Sequence, residues 1–352
     1  MFHKEGLNDL FKSHRSTIDK VNAVHDALSA RFYKMDEAIE CLMIAAMSGE
    51  AMVMIGPPGT AKSRLMRAFC NLLGMISDKT MQGDGDDEKA TEAYFEYLLT
   101  QFTEPSELFG FYDLSKLEKQ GLVRQTENMM QKAQVVFLDE VFNASSAILN
   151  SLLTFMNERK FHDRGELIST PLRLLVSATN SPPQEVTLGA VYDRFLLRCR
   201  VTNVASEAVN QEDIVGLMQA GWQETHAANL EHDATWEGLL DDLKALQDDI
   251  DARTASGALK IDPLHPMFAD LTALVSRLVK SDLSEMSNRR LIKMAGLVLS
   301  MRLLRSARAN EDEIEMQVGD LDVIARFSLD RDDPSAQARI MQELTDHGLA
   351  AS

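Results

Sequence analysis

Gly56-Pro57-Pro58-Gly59-Thr60-Ala61-Lys62-Ser63 follows directly on the apolar run Ala51-Met52-Val53-Met54-Ile55, and the stretch from Arg64 to Leu73 has the pattern of a helix. A strand feeding a Gly-rich loop and then a helix is an anion cradle. The glycines let successive N–H groups curl inward, and the positive end of the helix faces the same point. At this spacing Lys62 reaches the outer phosphates of a nucleoside triphosphate and Ser63 ligates magnesium, with the loop and Arg64 walling the site. Ala61 stands where the pattern G-x-x-x-x-G-K-[ST] has its second glycine; an alanine fits there if its φ is already that of the helix.

Two further strand ends carry polar groups. Asp139-Glu140 closes the apolar run Val135 to Leu138, and the two carboxylates point to different work: Asp139 to the magnesium shell, Glu140 to the attacking water. Leu174 to Ala178 runs into Thr179-Asn180. Alone, Asn180 before Ser181-Pro182-Pro183 is a turn residue; in this company its amide can orient water or sense a γ-phosphate.

The elements that must hold these groups alternate. Residues 1 to 50 are helical by period, with Ile18, Val21, Val24 and Leu28 on one stripe and a second run from Asp36 to Met47. A β-rich stretch spans Tyr94 to Phe102. Val135 to Leu138 and Leu172 to Ala178 are short, wholly apolar strands of the buried parallel kind, with a helix bearing Ile148, Leu152 and Phe155 between them. Alternating strands and helices predict a doubly wound α/β sheet with ligands at the carboxyl ends of its strands. From about Ala205 helical signals take over, with stripes at Leu271, Leu274, Val275 and Leu278 and at Leu291, Met294, Ala295 and Val298. The division is therefore 1–204 for the nucleotide-binding part and 205–352 for a helical part and tail. Asp320 is a candidate cap for a helix from Leu321 to Phe327. Glu237 to Asp251 is an acidic, amphipathic, solvated face, and Gly83 to Glu88 lacks the spacing of a calcium loop.

With 352 residues and 45% hydrophobic content the chain can bury a large core. A net charge of −18 supplies no basic field for a nucleic-acid backbone, so no nucleic-acid partner is expected. Cys41, Cys70 and Cys199 lie in apolar stretches with no C-x-x-C pair, which suits a reducing cytoplasm. No apolar leader or long apolar span occurs, so membrane insertion is not expected either.

Taken together, Gly56 to Ser63, Val135 to Val141, Asn150 to Leu153 with Asn157-Glu158-Arg159, Ser177 to Asn180, Tyr192-Asp193-Arg194-Phe195 and Ser287-Asn288-Arg289-Arg290 occur in the order of the MoxR family of AAA+ ATPases. The chain resembles that family from about residue 20 to residue 330, its RavA-like branch above all. The resemblance implies a P-loop AAA+ domain with a five-stranded parallel sheet, an all-helical lid, ATP and Mg2+ as ligands, and a homo-oligomeric ring, usually a hexamer, with ATP between subunits. It further implies Asn180 as the first sensor, Arg289 as the second sensor on the lid, and Arg194 as the finger offered to the next subunit; Arg198 and Arg290 are weaker candidates. The segments Phe109 to Gln131 and Lys160 to Ser169 would be inserts near a central pore, where Phe111-Tyr112, Phe161 and Glu166 could touch a protein substrate. Such relatives remodel or activate a partner protein, commonly with a von Willebrand factor A domain protein. A nucleic-acid motor and a magnesium-chelatase-like subunit are the alternatives.

Overall fold

The computed structural model of the chain describes residues 1–77, 92–113, 115, 123–163, 166–183, 188–204, 210–226, 236–331, 335, 338–339 and 342. The acidic segment Gly83 to Glu88 and most of the tail beyond Asp330 lie outside the described residues.

Five strands form one parallel sheet: β1 (Met52–Ile55), β2 (Tyr94–Leu98), β5 (Val135–Asp139), β8 (Leu174–Thr179) and β9 (Leu197–Arg200), in the order β2-β5-β8-β1-β9. Two antiparallel hairpins stand apart from it, β3 (Tyr112–Asp113) with β4 (Val123–Arg124), and β6 (Lys160–Asp163) with β7 (Glu166–Ser169). The central strands are apolar except toward their carboxyl ends because both faces are covered, and successive residues serve opposite faces. Met52, Met54, Val135, Phe137, Val176 and Cys199 enter one apolar cluster, while Val53, Ile55, Val136, Leu138 and Leu175 enter the other.

The first cluster holds α1 (Lys4–Ser29), α2 (Asp36–Ser48) and α3 (Lys62–Leu72); the second holds α4 (Pro105–Phe109) and α5 (Ser146–Glu158). After the one-turn α6 (Gly189–Tyr192) and β9 the elements of the described residues are helices: α7 (Gln211–His226), α8 (Leu239–Ser256), α9 (Met267–Lys280), α10 (Asn288–Arg308) and α11 (Asp322–Phe327). The α1 helix packs along α10 and α8, joining the N-terminal helices to the C-terminal ones.

Two local expectations are corrected. Asp320 does not cap the helix that follows: it lies in a short 3-10 turn (Val318–Leu321), accepts from the Gln317 N–H at 2.8 Å, and is 1% exposed facing Arg302 and Arg305. Burial pushes its carboxyl up to about 6 despite those two cations. The residue preceding α11 is Leu321, with no side-chain cap. Ala61 is not in the helical basin either: its φ is +61°, left-handed, at a cost of about 1 kcal/mol for a residue with a Cβ.

Candidate active site

β1 lies between β8 and β9, although β9 follows it by well over a hundred residues in the chain, so connections diverge on either side of it. A crevice at the carboxyl ends of the strands is the result. The loop 56–61 fills it. Gly56 N–H donates to Thr179 O at 3.1 Å, and a Cβ on Gly56 would stand 1.9 Å from Val201 O. Glycine is required at that position because β1 and the exit of β9 pass so close.

The loop curls around Lys62, which is 7% exposed and donates through Nζ to Gly56 O at 2.6 Å, Pro57 O at 2.9 Å and Thr60 Oγ1 at 3.3 Å. Burial lowers its pKa, against the pull of Asp139 and Glu140, which raise it. Ser63 Oγ lies 3.4 Å from Asp139 Oδ2, so a hydroxyl from the first turn of α3 meets a carboxylate from the end of β5. A hydroxyl beside a carboxylate, at the mouth of a loop of inward-facing groups and a buried ammonium, fits magnesium on a triphosphate.

Glu140 turns out of line with the strand: its φ is +53°, and its own N–H is held by Asp139 Oδ1 at 3.0 Å. Asn180 Nδ2 donates to Oε1 at 2.5 Å and Asn143 Nδ2 to Oε2 at 3.3 Å. Burial, then the Asp139 charge, raise the Glu140 pKa, with Lys62 opposing. Pro58 to Arg64, Asp139, Glu140 and Asn180 thus line a cavity of about 450 Å3. Beside it lies a second cavity of about 160 Å3 between Arg31 to Met35, Gly59 to Ala61, Val201 to Val204 and α7. Arg31 holds Glu224 of α7 at 2.8 Å and 2.9 Å, and Arg64 donates to the Glu224 carbonyl. Nothing in their spacing marks Arg31, Tyr33 and Glu224, which come together only by folding.

Arg194 and Arg289 line neither of these cavities. They meet at a cleft of about 120 Å3 where Ser48 to Ala51 enter β1 and Leu172-Arg173 enter β8, a strand's length from the phosphate loop. Arg159 of the Asn157-Glu158-Arg159 motif stands there too, with Arg173 and Lys293, which no sequence motif marks. Arg194 donates to Ala190 O at 2.7 Å, and burial together with Arg289 lowers its pKa. Arg289 donates to the Asn157 side chain. Arg198 and Arg290 are 3% and 1% exposed, both committed to Asp330, so neither can project as a finger.

The two hairpins are joined by a half-buried network: Arg124 Nε donates to Asp163 Oδ1 at 3.2 Å, Tyr112 OH donates to the same oxygen at 3.0 Å, and Arg124 lies over the Tyr112 ring. Phe161 stacks on Phe109 with centroids 4.5 Å apart. Tyr112 and Phe161 therefore serve packing, whereas Phe111, Leu167 and Ile168 are exposed.

Among solved structures, one from Cytophaga hutchinsonii presented as an ATPase shares the fold, with a TM-score of 0.61 at 16% identity over 98% of this chain and 97% of its own. Two uncharacterized proteins of Methanocaldococcus jannaschii, MJ0079 and MJ0812, are each 35% identical over 188 and 184 residues. These alignments take in 53% and 52% of this chain and 45% of each relative, so the chain spans less than half the length of the curated relatives it matches. The family model described as "MoxR domain in the MoxR-vWA-beta-propeller ternary systems" matches residues 19–82 and 86–248, more than half of the chain. With that match and a five-stranded P-loop sheet carrying its acidic strand end, the chain belongs to the MoxR family of AAA+ ATPases.

Proposed function

We propose that the chain hydrolyses ATP with Mg2+ at the junction of two copies in a ring, hexameric by family habit, and uses the cycle to remodel or activate a partner protein. The observation that carries this reading is the separation of two complementary half-sites. Lys62, Ser63, Asp139, Glu140 and Asn180 surround one cavity, while Arg194 and Arg289 line a cleft at the opposite ends of the strands. One chain cannot bring both to the same triphosphate, but a head-to-tail neighbour can, and such contacts close into rings.

In this reading Ser63 and Asp139 hold the metal, which when bound neutralises triphosphate charge and orients the terminal phosphoryl group. Lys62 exchanges its neutral loop acceptors for phosphate oxygens. Asn180 and Asn143 fix the Glu140 carboxylate, which takes the proton of the attacking water. Arg194 from the neighbour stabilises the charge on the transferring group, and Arg289 reports on it to the lid, which we take to run from about residue 205. The family description, which names vWA and beta-propeller components, supports a von Willebrand factor A domain protein as partner. Assignment to the RavA-like branch rests on the six sequence motifs alone.

The test is a set of variants measured for ATP affinity and phosphate release. Glu140→Gln keeps binding and loses turnover by about 10²–10⁴-fold, the range of a lost general base. Arg194→Ala binds normally and loses about 10³-fold. Mixing the two restores hydrolysis, because Glu140→Gln copies still offer Arg194 to intact cavities. Mixtures no more active than their components contradict the shared site.

A further inference from the structure

Beside each partly exposed arginine of the cleft stands a residue bound to the elements behind it. Arg290 follows Arg289, and Asp193 precedes Arg194. Arg290 Nη1 reaches both oxygens of Asp330 at 2.9 Å and 2.8 Å, and Arg198 from β9 donates to the same carboxylate. Ser284 Oγ and the Glu285 N–H close on Asp330 Oδ2 at 2.9 Å and 2.7 Å. Arg198 in turn donates to Tyr192 O at 2.9 Å and Phe195 O at 3.0 Å and lies 3.8 Å from the Tyr192 ring centroid. Asp193 accepts from Ser287 Oγ at 3.1 Å, and Ser287 caps α10 by accepting the Arg290 N–H at 3.3 Å. A single closed circuit therefore runs from β9 through Asp330 to the first turn of α10 and back through Asp193 to Arg194.

We infer that Asp330 is a positioning residue for hydrolysis in trans: by sharing one carboxylate between Arg198 of the sheet and Arg290 of α10, it sets Arg194 and Arg289 at the spacing a neighbour's triphosphate requires. This rests on the shared-site reading above. Two nearly inaccessible guanidinium groups repel each other, and burial together with Arg290 pushes Arg198 down to about 9. Without the carboxylate between them β9 and α10 have reason to part, which turns the two cleft arginines away from each other. Asp330 touches no part of the phosphate cavity, so its loss is felt by the copy that donates arginines and not by the one that holds nucleotide.

That asymmetry is the test. Asp330→Asn keeps the side-chain shape, and ATP affinity within about twofold of the parent serves as the fold control. Its hydrolysis as a homo-oligomer falls by about tenfold or more, less than the loss expected for Arg194→Ala. Asp330→Asn/Glu140→Gln copies, which can only donate, rescue Arg194→Ala copies about tenfold less than Glu140→Gln copies do, whereas Asp330→Asn/Arg194→Ala copies, which can only accept, are rescued by Glu140→Gln copies as fully as Arg194→Ala copies are. Equal rescue in both mixtures, equal failure in both, or full activity of Asp330→Asn alone overturns the inference while leaving the shared site standing. Failure of the parent mixture of Arg194→Ala with Glu140→Gln overturns the shared site, and the role of Asp330 with it.

Discussion

Glu140 combines a left-handed backbone, two amide partners and a raised pKa, and the pH consequences follow from the sign of that shift. As the base it must be ionised, so the acidic limb of the turnover profile lies above the usual glutamate value of 4.5; a limb at or below that value assigns the proton transfer elsewhere. For stability the same shift means that the ionised form is disfavoured in the folded chain. Below the unfolded value both states hold the proton and nothing is lost; stability falls as pH rises through the folded value. Glu140→Gln therefore melts higher than the parent near neutral pH, and the gap closes by about pH 4. Thermal scans across that range check it. Lys62 and Ala61 show the same economy at single positions: a buried ammonium held by neutral carbonyls, and a non-glycine residue in a basin it avoids, both imposed by a loop curled to face an anion.

At the level of elements, the weld between the β3–β4 and β6–β7 hairpins is the feature with a measurable energy. Asp163 is 8% exposed and is the carboxylate facing Arg124, which lies between the Tyr112 and Phe161 rings. Asp163→Ala leaves a half-buried guanidinium without that carboxylate and should cost about 3 kcal/mol, whereas replacing both partners, Arg124→Met with Asp163→Leu, should cost far less. Urea midpoints of the single and double variants decide between this and independent hairpins, for which the two costs add. A welded pair moves together, carrying the exposed Phe111, Leu167 and Ile168 with it. The family resemblance implied inserts at these two segments; the joining of the hairpins was not legible, because Arg124 and Asp163 lie 39 residues apart and neither has a pattern around it.

For the whole molecule, a site completed by a neighbour ties activity to assembly. Phosphate release per chain should rise steeply with protein concentration and level off once rings form, in step with the mass seen by native mass spectrometry or sedimentation. Constant specific activity from a species that stays monomeric throughout would falsify the shared site. The net charge of −18 bears on the same question, since like-charged copies associate only where local complementarity offsets the repulsion. In the proposed ring, the arginine cleft set against the carboxylate-lined cavity would provide it. Among the described residues no helix is long and apolar enough to cross a membrane.

What could be determined from the amino-acid order was whatever is written in contiguous residues: the loop 56–63, the acidic end of β5, the polar end of β8 and the alternation of strand and helix. Each of those signals depends on backbone geometry over fewer than ten residues, where side-chain period and glycine placement decide the outcome. Only the tertiary structure separates Arg198 and Arg290, nearly inaccessible and bound to Asp330, from Arg194 and Arg289, which stay partly exposed at the cleft, because adjacent or near-adjacent arginines have the same chemistry until packing commits one of them to a carboxylate. Asp330 makes that choice from more than a hundred residues beyond Arg198. No local pattern can encode it, since the energy lies in desolvating charges that meet only when the sheet and α10 have come together.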